Sequence, residues 1–156
     1  MRAMNVPSDP QLESLRIPPH SIEAEQSVIG GLLRDNAAFD RIADMMHADD
    51  FYRYDHRIIF EQVVKLINGS RPADVITVFE ALTTIGKAEE VGGLQYLNAM
   101  AQNTPSAANI RRYAEIVRDR GILRKLITVA DEIQGQAFNP QGKEVKQMLD
   151  EAESKI

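Results

Sequence analysis

The chain has 156 residues, 44% of them hydrophobic and 26% charged, the proportions of a globular protein with room for one domain and an extension. A formal net charge of −5 opposes a strong grip on phosphate backbones, and the lack of cysteine excludes disulfides and thiolate metal sites. No charged and apolar leader opens the chain and no apolar run reaches membrane-spanning length, so we expect a cytoplasmic protein with no membrane partner.

Residues 1–17 mix Pro, Ser, Asp and isolated apolar residues without a period and predict a flexible tail. Pro18, Pro19 and His20 separate it from a helix predicted over 21–34. Ser21 is its N-cap, and Glu23 and Glu25 sit in the first turns, where the helix dipole favours acids. Its apolar stripe is Ile22, Ile29 and Leu33, flanked by Val28 and Leu32. Gly30 and Gly31 weaken a helix relative to alanine, so we expect another backbone to come close there. A second helix over 37–46 would turn Phe39, Ile42, Met45 and Met46 inward. The corner "ADDFYRYDH" (48–56) offers Phe51 as a core plug, with Tyr52 and Tyr54 at the rim. Next comes the cleanest period, Ile59, Phe60, Val63, Val64 and Ile67, ended at Gly69. "RPADVIT" (71–77) reads as extended, with Thr77 and Glu80 as the capping box of a short helix closed by Gly86. "VGGLQYLNAMAQ" (91–102) gives another short helix with Leu94, Leu97 and Met100 inward.

In "NTPSAANI" (103–110), Thr104, Ser106 and Asn109 are N-cap residues and Pro105 suits a first helical position. The longest periodic stretch follows: Ile110, Tyr113, Ala114, Val117, Leu123, Leu126, Ile127, Ala130, Ile133 and Ala137. If continuous, about 30 residues make a rod of about 45 Å, which must project from a head of about 90 residues. Gly121 is the weak point of that rod, a place for a kink or a break. "FNPQGK" (138–143) is a turn, and Val145, Met148, Leu149 and Ala152 line one side of a last amphipathic helix. The predicted fold is therefore all-α: a compact multi-helix head over 18–105, then a projecting antiparallel helical hairpin over 106–156. The last helix reaches Ile156 without a stop signal, as in a fragment of a longer protein.

Catalytic chemistry is not legible. The Gly-Lys pairs in "TTIGKA" and "NPQGKE" lack both the earlier glycine and the following Ser or Thr of a phosphate loop. Gly86 and Gly142 read instead as a helix cap and a turn. His20, His47 and His56 have no metal-ligand spacing, and capping, packing or solvation explains them. The acid pairs Asp49-Asp50 and Glu89-Glu90 diverge from one another, and no nucleophile elbow is present. We expect no catalytic residue, no cofactor site and no metal site. What remains is surface. Tyr113, Ile116, Leu123, Ile127, Ile133, Phe138 and Met148 spread around more than one face of the hairpin, more apolar side chain than a two-helix seam consumes.

Seven stretches carry a family resemblance. "PPHSIEAEQSVIGGLL" (18–33), "ADDFY" (48–52), "HRIIF" (56–60), "PADVITVFEAL" (72–82), "VGGLQYL" (91–97), "NTPSAANI" (103–110) and "DEAESKI" (150–156) resemble, in order and spacing, the N-terminal domain of the bacterial replicative DNA helicase, the DnaB family. The resemblance implies a non-catalytic collar that pairs copies as dimers within a hexamer and docks the helicase-binding domain of primase. It also implies a possible loader contact, and engagement of DNA only weakly or through the full protein. ATP, magnesium and strand unwinding then belong to a motor beyond Ile156, past a linker helix, in a protein of the bacterial nucleoid and replisome. By position, Leu126, Ile127, Ile133, Met148 and Leu149 correspond to the part that pairs copies and receives primase, with Tyr113 and Ile116 as further candidate contacts. Two alternatives stand beside this reading. One is a single-strand DNA-binding module, based on the basic run "RRYAEIVRDRGILRK" (111–125) and the tyrosines. The other is a standalone regulatory domain that mimics the helicase collar.

Overall fold

The computed structural model describes residues 16–156, and these hold six α-helices and no strand. They are α1 (Ile22–Arg34), α2 (Tyr54–Asn68), α3 (Val75–Thr84), α4 (Gly93–Asn103), α5 (Ile110–Phe138) and α6 (Val145–Lys155). Two 3-10 helices, Asn36–Arg41 and Ala48–Asp50, join α1 to α2. The predicted tail lies outside the described residues except for Arg16 and Ile17.

The core forms around α1. Ser21 caps that helix, its hydroxyl accepting from Ala24 N at 3.2 Å, and Val28, Ile29 and Leu32 are fully buried. α1 packs against α2, α4 and the start of α5. Gly30 makes this possible. A Cβ on Gly30 would collide with the Met100 carbonyl and lie 2.9 Å from Thr104 Cβ, whereas one on Gly31 would make ordinary contact with Ile110 and Ala107 at 3.4 and 3.6 Å. The same core takes in Phe51, Ile59, Phe60, Val63, Leu66, Val78, Leu82, Leu97, Met100, Ala107, Ile110, Ala114 and Val117. It therefore crosses residue 105 and ends at Val117. We use "head" for the part packed on this core, and "hairpin" for the remainder of α5 together with α6.

Several local expectations fail for identifiable reasons. Residues 37–46 do not make an α-helix. The Asp35 carboxylate accepts from Ala37 N at 3.1 Å, and the Asn36 amide donates to the Leu32 and Ala73 carbonyls, both at 2.8 Å. Those side-chain bonds hold a 3-10 path instead, which still buries Ile42, Met45 and Met46 and half-buries Phe39. The capping box of α3 is Asp74 with Thr77, not Thr77 with Glu80. Thr77 N donates to Asp74 Oδ1 at 2.9 Å and Asp74 N to Thr77 Oγ1 at 2.8 Å. Asn36 holds both backbone groups of Ala73, so the helix starts immediately after it and only the first part of 71–77 is extended. Leu94 is half-buried rather than inward, while Leu66 joins the core of α2.

"NTPSAANI" differs most from its reading. Asn109 occupies the N-cap of α5 but makes no side-chain cap bond. Thr104 ends α4 and packs against Gly30, the Ser106 hydroxyl accepts from Ala108 N at 3.2 Å, and Pro105 stays in the loop. The segment makes a packed corner between α4 and α5.

Candidate protein-interaction surface

α5 has two unlike halves. Ile110, Ala114 and Val117 are buried in the head, and Tyr113 and Ile116 pack on the same core half-exposed. Beyond Val117, no residue of α5 or α6 is buried. Gly121 does not break the run, which stays helical from Ile110 to Phe138. A Cβ there would lie 3.1 Å from Asp50 Cα and 3.2 Å from the Asp50 carbonyl oxygen, so glycine lets the 3-10 turn Ala48–Asp50 rest on the helix. One turn on, the Arg124 guanidinium donates to the Pro19 and Asp50 carbonyls, both at 2.7 Å, and lies 5.4 Å from the centre of the Tyr52 ring. Burial pushes the Asp50 carboxyl up from its ordinary value and pulls the Arg124 guanidinium down.

Past this junction the helix is much more exposed, although Ile127 and Thr128 still line a cleft with Ile17, Pro18 and Tyr52. Ile122, Leu123, Leu126 and Ile127 are each close to half exposed, and Phe138 is 82% exposed. A turn containing Gln141 and Gly142, both at positive φ, reverses the chain into α6. The helices run antiparallel, with Lys155 of α6 pairing with Glu132 of α5 at 3.6 Å. Ile133, Ala137, Val145, Met148, Leu149 and Ala152 line an open cleft of about 260 Å³ between them. Lys143 donates to Glu151 at 2.8 Å and holds its carboxyl below the usual range. Leu149 stays 66% and Val145 73% exposed. Two helices with one shallow seam leave part of their apolar side chains uncovered.

The head hides a polar cluster that the sequence reading missed. The Glu25 carboxylate is 1% exposed and accepts from Tyr52 N at 2.6 Å and Arg53 N at 3.4 Å. It also lies 2.7 Å from His56 Nδ1, and His56 is fully buried. His56 Nε2 sits 2.6 Å from the Tyr96 hydroxyl, which accepts from Gln26 at 3.0 Å. Burial raises the Tyr96 phenol. One signal pointed here: Glu25 and His56 each stand one turn before a core residue, Ile29 and Phe60, on an apolar stripe.

The Gly-Lys pairs do not fit a nucleotide. Gly86, at φ +71, closes α3, and Lys87 reaches Tyr54 Oη at 3.0 Å and Glu90 at 3.5 Å. Gly142 belongs to the hairpin turn, and Lys143 is taken by Glu151. Among the described residues, no group of three or more His, Asp or Glu is arranged to hold a metal, and no helix is long and apolar enough to cross a membrane.

The model of the DnaB-like helicase N terminal domain family matches residues 17–119. The chain belongs to this family. It is 48% identical over 97% of its length to the replicative DNA helicase DnaB of Pasteurella multocida, and 45% identical over 96% to that of Haemophilus influenzae. In both cases it spans 32% of the relative's length. The solved N-terminal domain of the Mycobacterium tuberculosis DnaB helicase superposes with a TM-score of 0.86 at 31% identity, covering 90% of this chain and 98% of that one. The corresponding Helicobacter pylori domain shares the fold at 23% identity, with a TM-score of 0.62 over 89% of this chain and all of that one.

Within this DnaB-family domain the candidate contact residues fall into three groups. Leu126 and Ile127 stand together on the bare face of α5, 48% and 49% exposed. Ile133, Met148 and Leu149 meet across the hairpin cleft. Tyr113 and Ile116 are brought to neither, since they lie about three to four turns before Leu126 and Ile127, against the head core. Periodicity alone could not separate them, because α5 keeps the same apolar spacing inside and outside the head.

Proposed function

We propose that the chain is a non-catalytic collar domain of a replicative helicase, which pairs with other copies through its hairpin and docks primase. The observation that carries this reading is the change along α5 from a buried stripe to a bare one after Val117, continued by the uncovered apolar side of α6. A stripe of leucine and isoleucine left in water loses about 25 cal/mol per Å² relative to burial, so a second hairpin or a partner helix laid on it is favoured. Leu126 and Ile127 form the centre of one contact patch. Ile133, Met148 and Leu149 act by holding the hairpin closed and by lining its edge. Tyr113 and Ile116 act only through the head. The Helicobacter pylori domain is described together with its interactions with primase, and the helicase-binding part of primase is the partner inferred here. Paired domains would assemble as a collar of dimers in the hexamer. ATP and magnesium would act in a motor that lies in the two thirds of the relatives' length this chain does not span.

Sedimentation equilibrium over a wide concentration range, with calorimetric titration of the primase C-terminal domain, tests both contacts. We expect a concentration-dependent dimer and saturable binding. A strict monomer at high concentration together with no heat on adding primase would sink the proposal. Tight binding of single-stranded DNA at physiological salt would favour the DNA-binding alternative.

A further inference from the structure

α5 is unbroken where its sequence is weakest. Glycine in mid-helix costs about 1 kcal/mol relative to alanine and removes the side chain that would stiffen the turn. Gly121 stands one turn past Val117, the last residue held by the head core. Arg124 stands just beyond it, and its two hydrogen bonds reach carbonyls 105 and 74 residues away in the chain. Those carbonyls belong to two separate segments, the Pro18–His20 entry to α1 and the 3-10 turn Ala48–Asp50. Both are themselves fixed. The His20 ring stacks on Tyr52 at 4.2 Å, within 14° of parallel, and the Tyr52 backbone N–H is held by buried Glu25 at 2.6 Å. The guanidinium lies over the same Tyr52 ring. The Tyr52 ring thus meets both the His20 imidazole and the Arg124 guanidinium, and the guanidinium is tied to the head by a two-pronged fork.

We propose that Arg124 is a latch that splints α5 across Gly121 and thereby sets the direction in which the hairpin leaves the head. Val117 grips the helix on one side of the glycine and Arg124 grips it on the other, so bending at Gly121 requires breaking both hydrogen bonds and the contact with the Tyr52 ring. With the latch made, the free arm from Arg124 to Phe138 is about 21 Å. With the latch broken, the arm swings about Gly121 and grows to about 26 Å. A swing of about 15° on that arm moves its end by about 7 Å. Lysine cannot replace the guanidinium, because one ammonium lacks the planar fork that spans two carbonyls. The proposal concerns the aim of the hairpin and holds whatever the hairpin binds.

The chain has no cysteine, so Cys replacements at Asn68 on the head and Gln134 on the hairpin, both exposed, take spin labels cleanly. Electron–electron dipolar spectroscopy on the full 156-residue chain, diluted with unlabelled protein, reads the distance within one molecule. We expect a single narrow distribution for the parent, and a broadened one displaced by several ångström in both Arg124→Ala and Arg124→Lys. Thermal melting of the head should stay cooperative in both. A parent-like distribution in Arg124→Ala overturns the latch. So does full rescue by Arg124→Lys, which would make charge alone sufficient. Loss of the folded head in both variants would also overturn it, since it would make Arg124 part of the core rather than a latch outside it.

Discussion

Head and hairpin are built from the same kinds of residue and held by different physics. In α1, eight of 13 residues are buried, and the helices that cover it come from distant parts of the chain. In α6, none of 11 is buried, although Val145, Met148, Leu149 and Ala152 give it an apolar side just as regular. The difference is in supply of partners. The head closes on itself around α1, whereas the hairpin has one seam and turns its other apolar side to water. An amphipathic pattern specifies a face to be buried, and only the tertiary arrangement says whether the same chain buries it.

The contrast can be broken most forcefully in the head. Phe51→Ala removes a fully buried ring packed 4.8 Å from Phe60 and should cost about 3–5 kcal/mol in urea denaturation. A loss below 1 kcal/mol would mean the core relaxes around it. Glu25→Ala leaves the Tyr52 and Arg53 amides and the His56 ring without their acceptor and should cost about 3 kcal/mol by the same measurement.

On the hairpin, Leu149→Asp should leave the melting of the head unchanged while weakening self-association by about tenfold or more, about 1.4 kcal/mol, in sedimentation. Equal association by Leu149→Asp and the parent would move the contact elsewhere. At the junction, Asp50 has its folded-state value raised by burial above the ordinary 3.8, so the folded state binds the proton more tightly than the unfolded one. Its contribution to stability therefore declines as pH rises from about 3.8 through the folded value. Asp50→Asn should flatten that slope by less than about 0.5 kcal/mol, because the group is partly solvated. The smallest effect is Glu151→Gln. Glu151 titrates below its ordinary 4.5, so its pairing with Lys143 holds above that pH and fails as pH falls further. Amide signals of α6 should lose that acid-side transition in the variant, and head signals should not change.

Much of this architecture is legible without coordinates. The period of α2, the Ser21 cap, the need for close approach at Gly30, and the turn at Gly142 all follow from local rules and hold in the structure. The candidate surface is legible only as a list of residues. The spacing of α5 is continuous, so Tyr113 and Ile116 read like Leu126 and Ile127, and only packing against the head separates the two pairs. The misread boundaries at 37–46 and 71–77 share one contributor. Asn36 ties Leu32 to Ala73, and a hydrogen bond across 37 positions leaves no local signal, although the Asp35 and Asp74 caps are local.

What the sequence by itself determined was the all-helical character, most of the helix ends and the family, because capping, periodicity and motif spacing act over a few neighbouring residues. What only the tertiary structure decided was the company each helix keeps. Glu25 looked like a first-turn acid and is a buried acceptor, because the 52–53 amides and His56 converge on it from the next corner. Gly121 looked like a break and lies in an unbroken helix, because Asp50 rests on it and Arg124 reaches across it. In both cases the deciding atoms stand 27 or more positions away, beyond the range of any local rule.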